Sequence, residues 1–150
     1  MTGRLILGEP RSRSRLIVYW VTTVLVVWEM AMGGVWDLLH TQYVRTIMDH
    51  LGYPEYFVTI PGIWKVPGAV ALLLLRFPRL REWAYAGMFF TYSGAVASHL
   101  FAGDGPARWA GPLIFGGFLM VSWWLKPAPR AQGAFAGGAV TTARPHPSTL

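Results

Sequence analysis

The chain has no cysteine. That single absence removes disulfide staples, thiolate metal sites, iron–sulfur clusters and thiol–disulfide exchange together. Charge is scarce as well. Only 13% of the 150 residues are Asp, Glu, Lys or Arg, against about 25% in an ordinary soluble domain. Mean hydropathy is correspondingly positive, at +0.37. Acidic residues number seven against thirteen basic ones, and the resulting pI near 10.2 invites a nucleic-acid reading that the placement of the basic residues rejects. Ten Lys and Arg residues flank apolar runs on one side: Arg4, Arg11, Arg13 and Arg15, then Arg76, Arg79 and Arg81, then Lys126, Arg130 and Arg144. Only Arg45 and Arg108 lie in the other two connections. This is the bias that puts both termini and the middle connection in the cytoplasm.

Four apolar runs are what the chain does have. They predict an all-α fold, a four-helix transmembrane bundle with helices at about 16–38, 57–75, 82–101 and 107–125. Each run is close to the length a helix needs to cross about 30 Å of hydrocarbon. Residues 1–15 read as a basic cytoplasmic lead-in, 16–126 as the transmembrane domain and 127–150 as a disordered cytoplasmic tail rich in Pro, Ala, Gly and Thr. The first run is longer than a signal-peptide core and lacks a small-residue cleavage site, so it reads as a retained span. The outer connection at 41–56 is long for a hairpin, and part of it is expected to form a short interfacial helix over the bundle mouth. Glu82 falls in the first turn of the expected third helix, as a cap beside Arg79 and Arg81.

Ionisable residues interrupt three of the runs: Glu29, Lys65 and His99. An ionised side chain at the bilayer centre costs about 2.5–3.5 kcal/mol even on lenient scales, so each demands a partner or a use. Glu29 and Lys65 both fall near the middle of their helices and are expected to pair there. Glu29, Gly33 and Trp36 share one helix face, with Gly33 leaving room for a partner helix or a ligand. Asp37 ends the first helix where His99 ends the third, and Asp104 follows His99 by one turn plus the loop. A histidine near a carboxylate is a common acid–base arrangement, because its pKa lies close to working pH. Tyr85, Tyr92 and His99 recur at heptad spacing, which aims two phenols along the route to His99. Glu29, Asp37, Lys65 and His99 are therefore the candidate catalytic residues, and Gly33, Trp36, Trp64, Tyr85 and Tyr92 the candidate pocket lining. A plain alternative stands beside each: a structural ion pair, interhelical hydrogen bonds and interface aromatics.

Several motifs resemble those of the DoxX-like family of small four-span bacterial membrane proteins. They are Leu51-Gly52-Tyr53-Pro54, Pro61-Gly62-Ile63-Trp64-Lys65-Val66-Pro67-Gly68, Glu82-Trp83-Ala84-Tyr85-Ala86-Gly87, Ser98-His99 and Gly103-Asp104. The resemblance covers about residues 16–126 and places the family pattern on Gly34, Asp37, Lys65, Glu82 and His99. The prolines flanking Lys65 depart from the more regular helix that the family usually has there. A four-helix bundle in the bacterial cytoplasmic membrane is implied, and for a few members an association with quinone-linked or redox assemblies.

Three functions compete. The first is a polar intramembrane site for a small lipophilic, quinone-like molecule within a membrane redox assembly, in which a partner protein supplies the electron carrier. The second is a cofactor-free enzyme that isomerises, cyclises or hydrolyses an apolar substrate by acid–base catalysis. The third is a non-catalytic assembly partner. Haem is disfavoured because His40, His50 and His99, the histidines outside the tail, all lie towards the outer side. No zinc-type spacing and no nucleotide motif is present, so no metal site is expected. Four spans without an inverted repeat speak against a transporter unless the chain forms a homo-oligomer. Lipid and a lipophilic ligand, not nucleic acid, are the expected partners.

Overall fold

The computed structural model describes residues 13–127. Five α-helices follow in order: α1 (Arg13–Leu38), α2 (Gln42–Leu51), α3 (Thr59–Leu73), α4 (Pro78–Phe101) and α5 (Pro106–Leu125). A 3-10 turn at Glu55–Val58 leads into α3, and no strand occurs among the described residues. α1 packs against α3 and α5, and α4 packs against the same two, so the four long helices close a ring. The core at mid-height is apolar and fully covered: Val26, Met30, Leu72, Met88 and Leu119 meet there with Tyr85 and Tyr92.

Local chemistry explains where the helices begin and end. Phe77 is driven to an extended conformation (φ −113°, ψ 81°) by the proline that follows it. Pro78 then opens α4, where its missing N–H costs nothing and its fixed φ suits a first turn. The helix expected from 82 thus starts four residues earlier, and Glu82 lies beyond the first turn instead of capping it. Pro61 likewise falls in the opening turn of α3, leaving Pro67 as the proline inside that helix. Arg13, Ser14 and Arg15, expected in a loose lead-in, are already helical. The rest of that lead-in, and the tail from 128 to 150, lie outside the described residues.

The connection between α1 and α3 carries the short helix expected there, α2, at 42–51. It turns Val44 inward and ends on Gly52 in the left-handed region (φ 73°), a conformation that glycine adopts without strain. His40 also takes a positive φ of 46° at the α1–α2 corner. Its Nε2 lies 2.9 Å from the Thr59 hydroxyl, which ties the corner to α3.

Polarity is inverted relative to a soluble domain. Thr22, Thr23, Asp37, Arg81, His99 and Ser122 are buried, while Trp64, Trp83, Phe90 and Phe101 are 71, 76, 70 and 93% exposed. Among the described residues, two stretches are long and apolar enough to cross a bilayer: α1, with 26 residues and mean hydropathy 1.7, and Glu55–Leu73, with 19 residues and mean hydropathy 1.4.

Candidate functional site

The site starts from a close helix crossing. A Cβ on Gly34 would stand 2.9 Å from the Lys65 Cβ and 3.0 Å from Val66 Cγ2, and one on Gly62 would stand 3.0 Å from the Asp37 Cβ. Glycines on both helices therefore bring α1 and α3 together at the level of Asp37 and Lys65. The result is an ion pair, with Lys65 Nζ 2.9 Å from Asp37 Oδ2. The contact is a charge pairing, and Oδ2 is otherwise buried with no hydrogen-bond partner among the described residues. Only 7% of Asp37 is exposed.

The expected Glu29–Lys65 pair does not form. Glu29 instead accepts a hydrogen bond from the Tyr92 hydroxyl across to α4. The two groups do approach one another, since a Gly33 Cβ would lie 3.0 Å from Glu29 Oε1 and 3.4 Å from Lys65 Nζ. Lys65 chooses Asp37 because the Gly34–Gly62 crossing fixes its Cβ beside the last turn of α1, whereas Glu29 is claimed two turns earlier by Tyr92.

Two clefts meet at this pair. The larger, of ≈ 840 Å³, runs between α3 and α4, with Trp64, Trp83 and Phe90 along it. The smaller, of ≈ 410 Å³, lies between α1 and α5 and is lined by Glu29, Gly33, Trp36, Tyr92 and Phe115 among others. Asp37, Lys65 and His99 line both, as do Thr91 and Ala95 of α4. Ile47 and Met48 of α2 also face both clefts, so the short helix roofs their junction. Apolar walls on two sides of a polar centre suit an elongated lipophilic molecule with a hydrogen-bonding head.

His99 is held from above. Its Nδ1 lies 2.7 Å from Asp104 Oδ2, in the turn that follows α4. The other oxygen, Oδ1, receives His50 Nε2 of α2 at 2.7 Å and has Arg108 Nε at 3.5 Å. Of the two carboxylates expected near His99, Asp37 and Asp104, it is Asp104 that meets it directly, because the turn folds back over the helix end. The His99 hydrogen bond is the largest influence holding the Asp104 carboxyl below its ordinary 3.8, against a desolvation that raises it, with His50 and Arg108 adding to the lowering. With Nδ1 spent on Asp104, His99 Nε2 makes no hydrogen bond among the described residues, and the residue lines both clefts. Tyr53 adds a second tie from the α2 side, its hydroxyl 3.0 Å from Ser98 Oγ. Asp104 is the carboxylate that the sequence places one turn past His99, in Gly103-Asp104-Gly105-Pro106, whereas nothing in the sequence points to His50 as its second partner.

Tyr85 does not join the pocket. Its hydroxyl lies 2.8 Å from Ser122 Oγ, which is 2.7 Å from Thr23 Oγ1, forming a closed buried chain at the opposite end of the helices. Nearby, Arg81 donates to the Tyr19 hydroxyl at 2.7 Å. Heptad spacing put Tyr85 on the face of Tyr92 and His99, but the core residue Met88 separates them. Glu82 pairs across to α5, accepting from Lys126 and from Trp123 Nε1 at 2.9 Å.

A model of the DoxX-like family matches residues 21–122. The chain belongs to that family. No curated protein and no solved structure matches it. The matched stretch of this DoxX-like chain contains Asp37, Lys65, His99 and Asp104 and every residue of the smaller cleft. Among the described residues no group of three His, Asp or Glu is arranged to hold a metal ion. His40, His50 and His99 are each engaged by a side chain at the α2 end of the helices.

Proposed function

We propose that this DoxX-like protein is an integral membrane protein of the bacterial cytoplasmic membrane, a four-helix bundle with both termini in the cytoplasm, that binds a small lipophilic molecule where its two clefts meet. The inverted polarity supports the bilayer as solvent, since exposed tryptophans and phenylalanines over buried threonine, serine and histidine would be unstable in water. The ten-to-two split of flanking basic residues supports the orientation. The observation that carries the binding reading is the junction itself: Asp37, Lys65 and His99 stand together between two apolar clefts of ≈ 840 and ≈ 410 Å³. Lys65 Nζ is the donor that would hold an oxygen of a quinone-like ring, and His99 Nε2, an acceptor once Nδ1–H is given to Asp104, would take the O–H of the reduced ring, with the chain along α3 and α4. Electron transfer would require a redox partner protein, in line with the association of a few members of the family with such assemblies.

Because the chain lacks cysteine, single cysteines at Thr41 and Gly105 test the topology cleanly. They should react with an impermeant maleimide in intact spheroplasts, and reaction only after lysis overturns the orientation. For binding, a diazirine-bearing quinone analogue should crosslink to residues of the clefts in purified protein, and His99→Ala should abolish this while the protein stays monodisperse. Crosslinking that is unchanged in His99→Ala, or confined to the outer helix faces, defeats the site.

One observation favours a second reading, the cofactor-free acid–base enzyme. Asp104 fixes the His99 tautomer and leaves Nε2 facing an apolar space, the arrangement in which an imidazole takes or gives a proton. Turnover of a bound apolar substrate that is lost in both His99→Ala and Asp104→Asn would select it.

A further inference from the structure

Around the cleft junction the hydrogen-bonding groups are unequally spent. Two carboxyl groups, Asp37 and Glu29, converge on one ammonium: Lys65 Nζ is 2.9 Å from Asp37 Oδ2, and it shares the space beside Gly33 with Glu29 Oε1. Glu29 Oε2 is occupied by the Tyr92 hydroxyl. Asp37 Oδ2 is sealed against Lys65, whereas Oδ1 has no donor among the described residues and is not sealed. The junction thus offers an open acceptor in a region where acceptors already outnumber cations.

An anionic head entering here would become the third negative group around one positive one, in surroundings of low dielectric where like charges repel strongly. A head with an N–H or O–H meets Asp37 Oδ1 directly. If that head is also positive, it balances the second carboxylate, and it approaches the oxygen that Lys65 does not occupy.

We propose that the cleft junction selects lipophiles whose head is a hydrogen-bond donor without negative charge, a primary amine most tightly and an alcohol next, and that it rejects acids. This rests on the lipophile-binding reading above and specifies its ligand class. It also implies that a hydroquinone is held more tightly than the quinone from which it derives, because only the reduced ring brings O–H groups to Asp37.

The test uses the full chain in nanodiscs of zwitterionic lipid at neutral pH. Four probes share one diazirine-bearing hexadecyl chain and differ only in the head: amine, hydroxyl, methyl ether or carboxylate. Labelling of the peptides around 61–68 and 87–99 should fall in that order, with amine and acid separated by about tenfold, or roughly 1.4 kcal/mol. Asp37→Asn should bring the amine down to the alcohol while alcohol labelling persists. Should Asp37→Asn fail to fold, Glu29→Gln removes the other carboxylate and must lower the amine-to-acid ratio by itself. Acid labelling equal to amine labelling overturns the proposal, and so does an unchanged ratio in a folded variant. Labelling of the clefts by none of the four probes overturns the lipophile-binding reading as well, whereas equal labelling by all four leaves that reading standing and removes only the ligand class.

Discussion

The two ends of the helix ring are both polar, and they are built on opposite rules. At the end without α2, hydroxyls answer hydroxyls: Thr23, Ser122 and Tyr85 form a closed chain, and Arg81 reaches the Tyr19 hydroxyl while its Nε is buried without a partner among the described residues. At the α2 end, charged groups are only partly answered. Asp37 Oδ2 has an ammonium but no hydrogen bond, His99 Nε2 makes no hydrogen bond among the described residues, and two clefts converge. Val26, Met30, Met88 and Leu119 separate the two ends. A hydroxyl chain closed on itself, as Thr23, Ser122 and Tyr85 form, fixes a structure, because any rearrangement leaves a buried donor or acceptor unmet. A cluster that leaves groups open to a cavity costs stability and is kept for what it can bind.

The largest effect should separate those rules most sharply. Lys65→Met strands the Asp37 carboxylate, 7% exposed, without its counter-charge. By the behaviour of broken buried pairs it should cost about 3–5 kcal/mol of stability. Adding Asp37→Asn to it should recover most of the loss, read as the midpoint of unfolding in a detergent titration. Recovery by Glu29→Gln instead would mean that Lys65 pairs with Glu29 after all.

Next is the crossing that creates the pair. Gly34→Ala puts a methyl 2.9 Å from the Lys65 Cβ, an atom with little freedom to move, and should cost about 1–3 kcal/mol. Gly87→Ala, with nothing within 4 Å of the new methyl, should stay within about 0.5 kcal/mol. Equal effects from the two would remove the crossing as the organiser of the site.

Ser122→Ala should be smaller. It unpairs both Tyr85 and Thr23 and should lower stability by about 1–2 kcal/mol, with crosslinking of the clefts unaltered. Loss of crosslinking in a stable Ser122→Ala protein would erase the distinction between the two ends.

The smallest effect is in pH. The Asp104 carboxyl is held below 3.8 in the folded chain, so its contribution to stability is fully present above that value and is lost as pH falls through the depressed one. Protease protection of α2 should therefore weaken in acid below 3.8, and Asp104→Asn should flatten that acid response. An acid response of the same size in Asp104→Asn would assign it to another group.

How much of this was legible in the residues divides along the same physical line. The apolar runs, the basic flanks and the glycine–proline turns determine that the chain is helical, where the helices lie to within a few residues, and which side chains are out of place in them. Those are local properties, set by composition and by backbone sterics over a few residues. Glu29, Lys65 and His99 stand out as misplaced in their apolar runs and Asp37 as the carboxylate that ends the first helix, and the length of the 41–56 connection points to a short helix there. Helix periodicity, by contrast, fixes only which residues share a face of one helix; it carries no information on how two helices are rotated and shifted against each other. That was decided by tertiary packing. The Gly34–Gly62 approach gives Lys65 to Asp37 instead of Glu29, the fold-back of the 102–105 turn gives His99 to Asp104, and the apolar layer around Met88 assigns Tyr85 to Ser122 while leaving Tyr92 to Glu29.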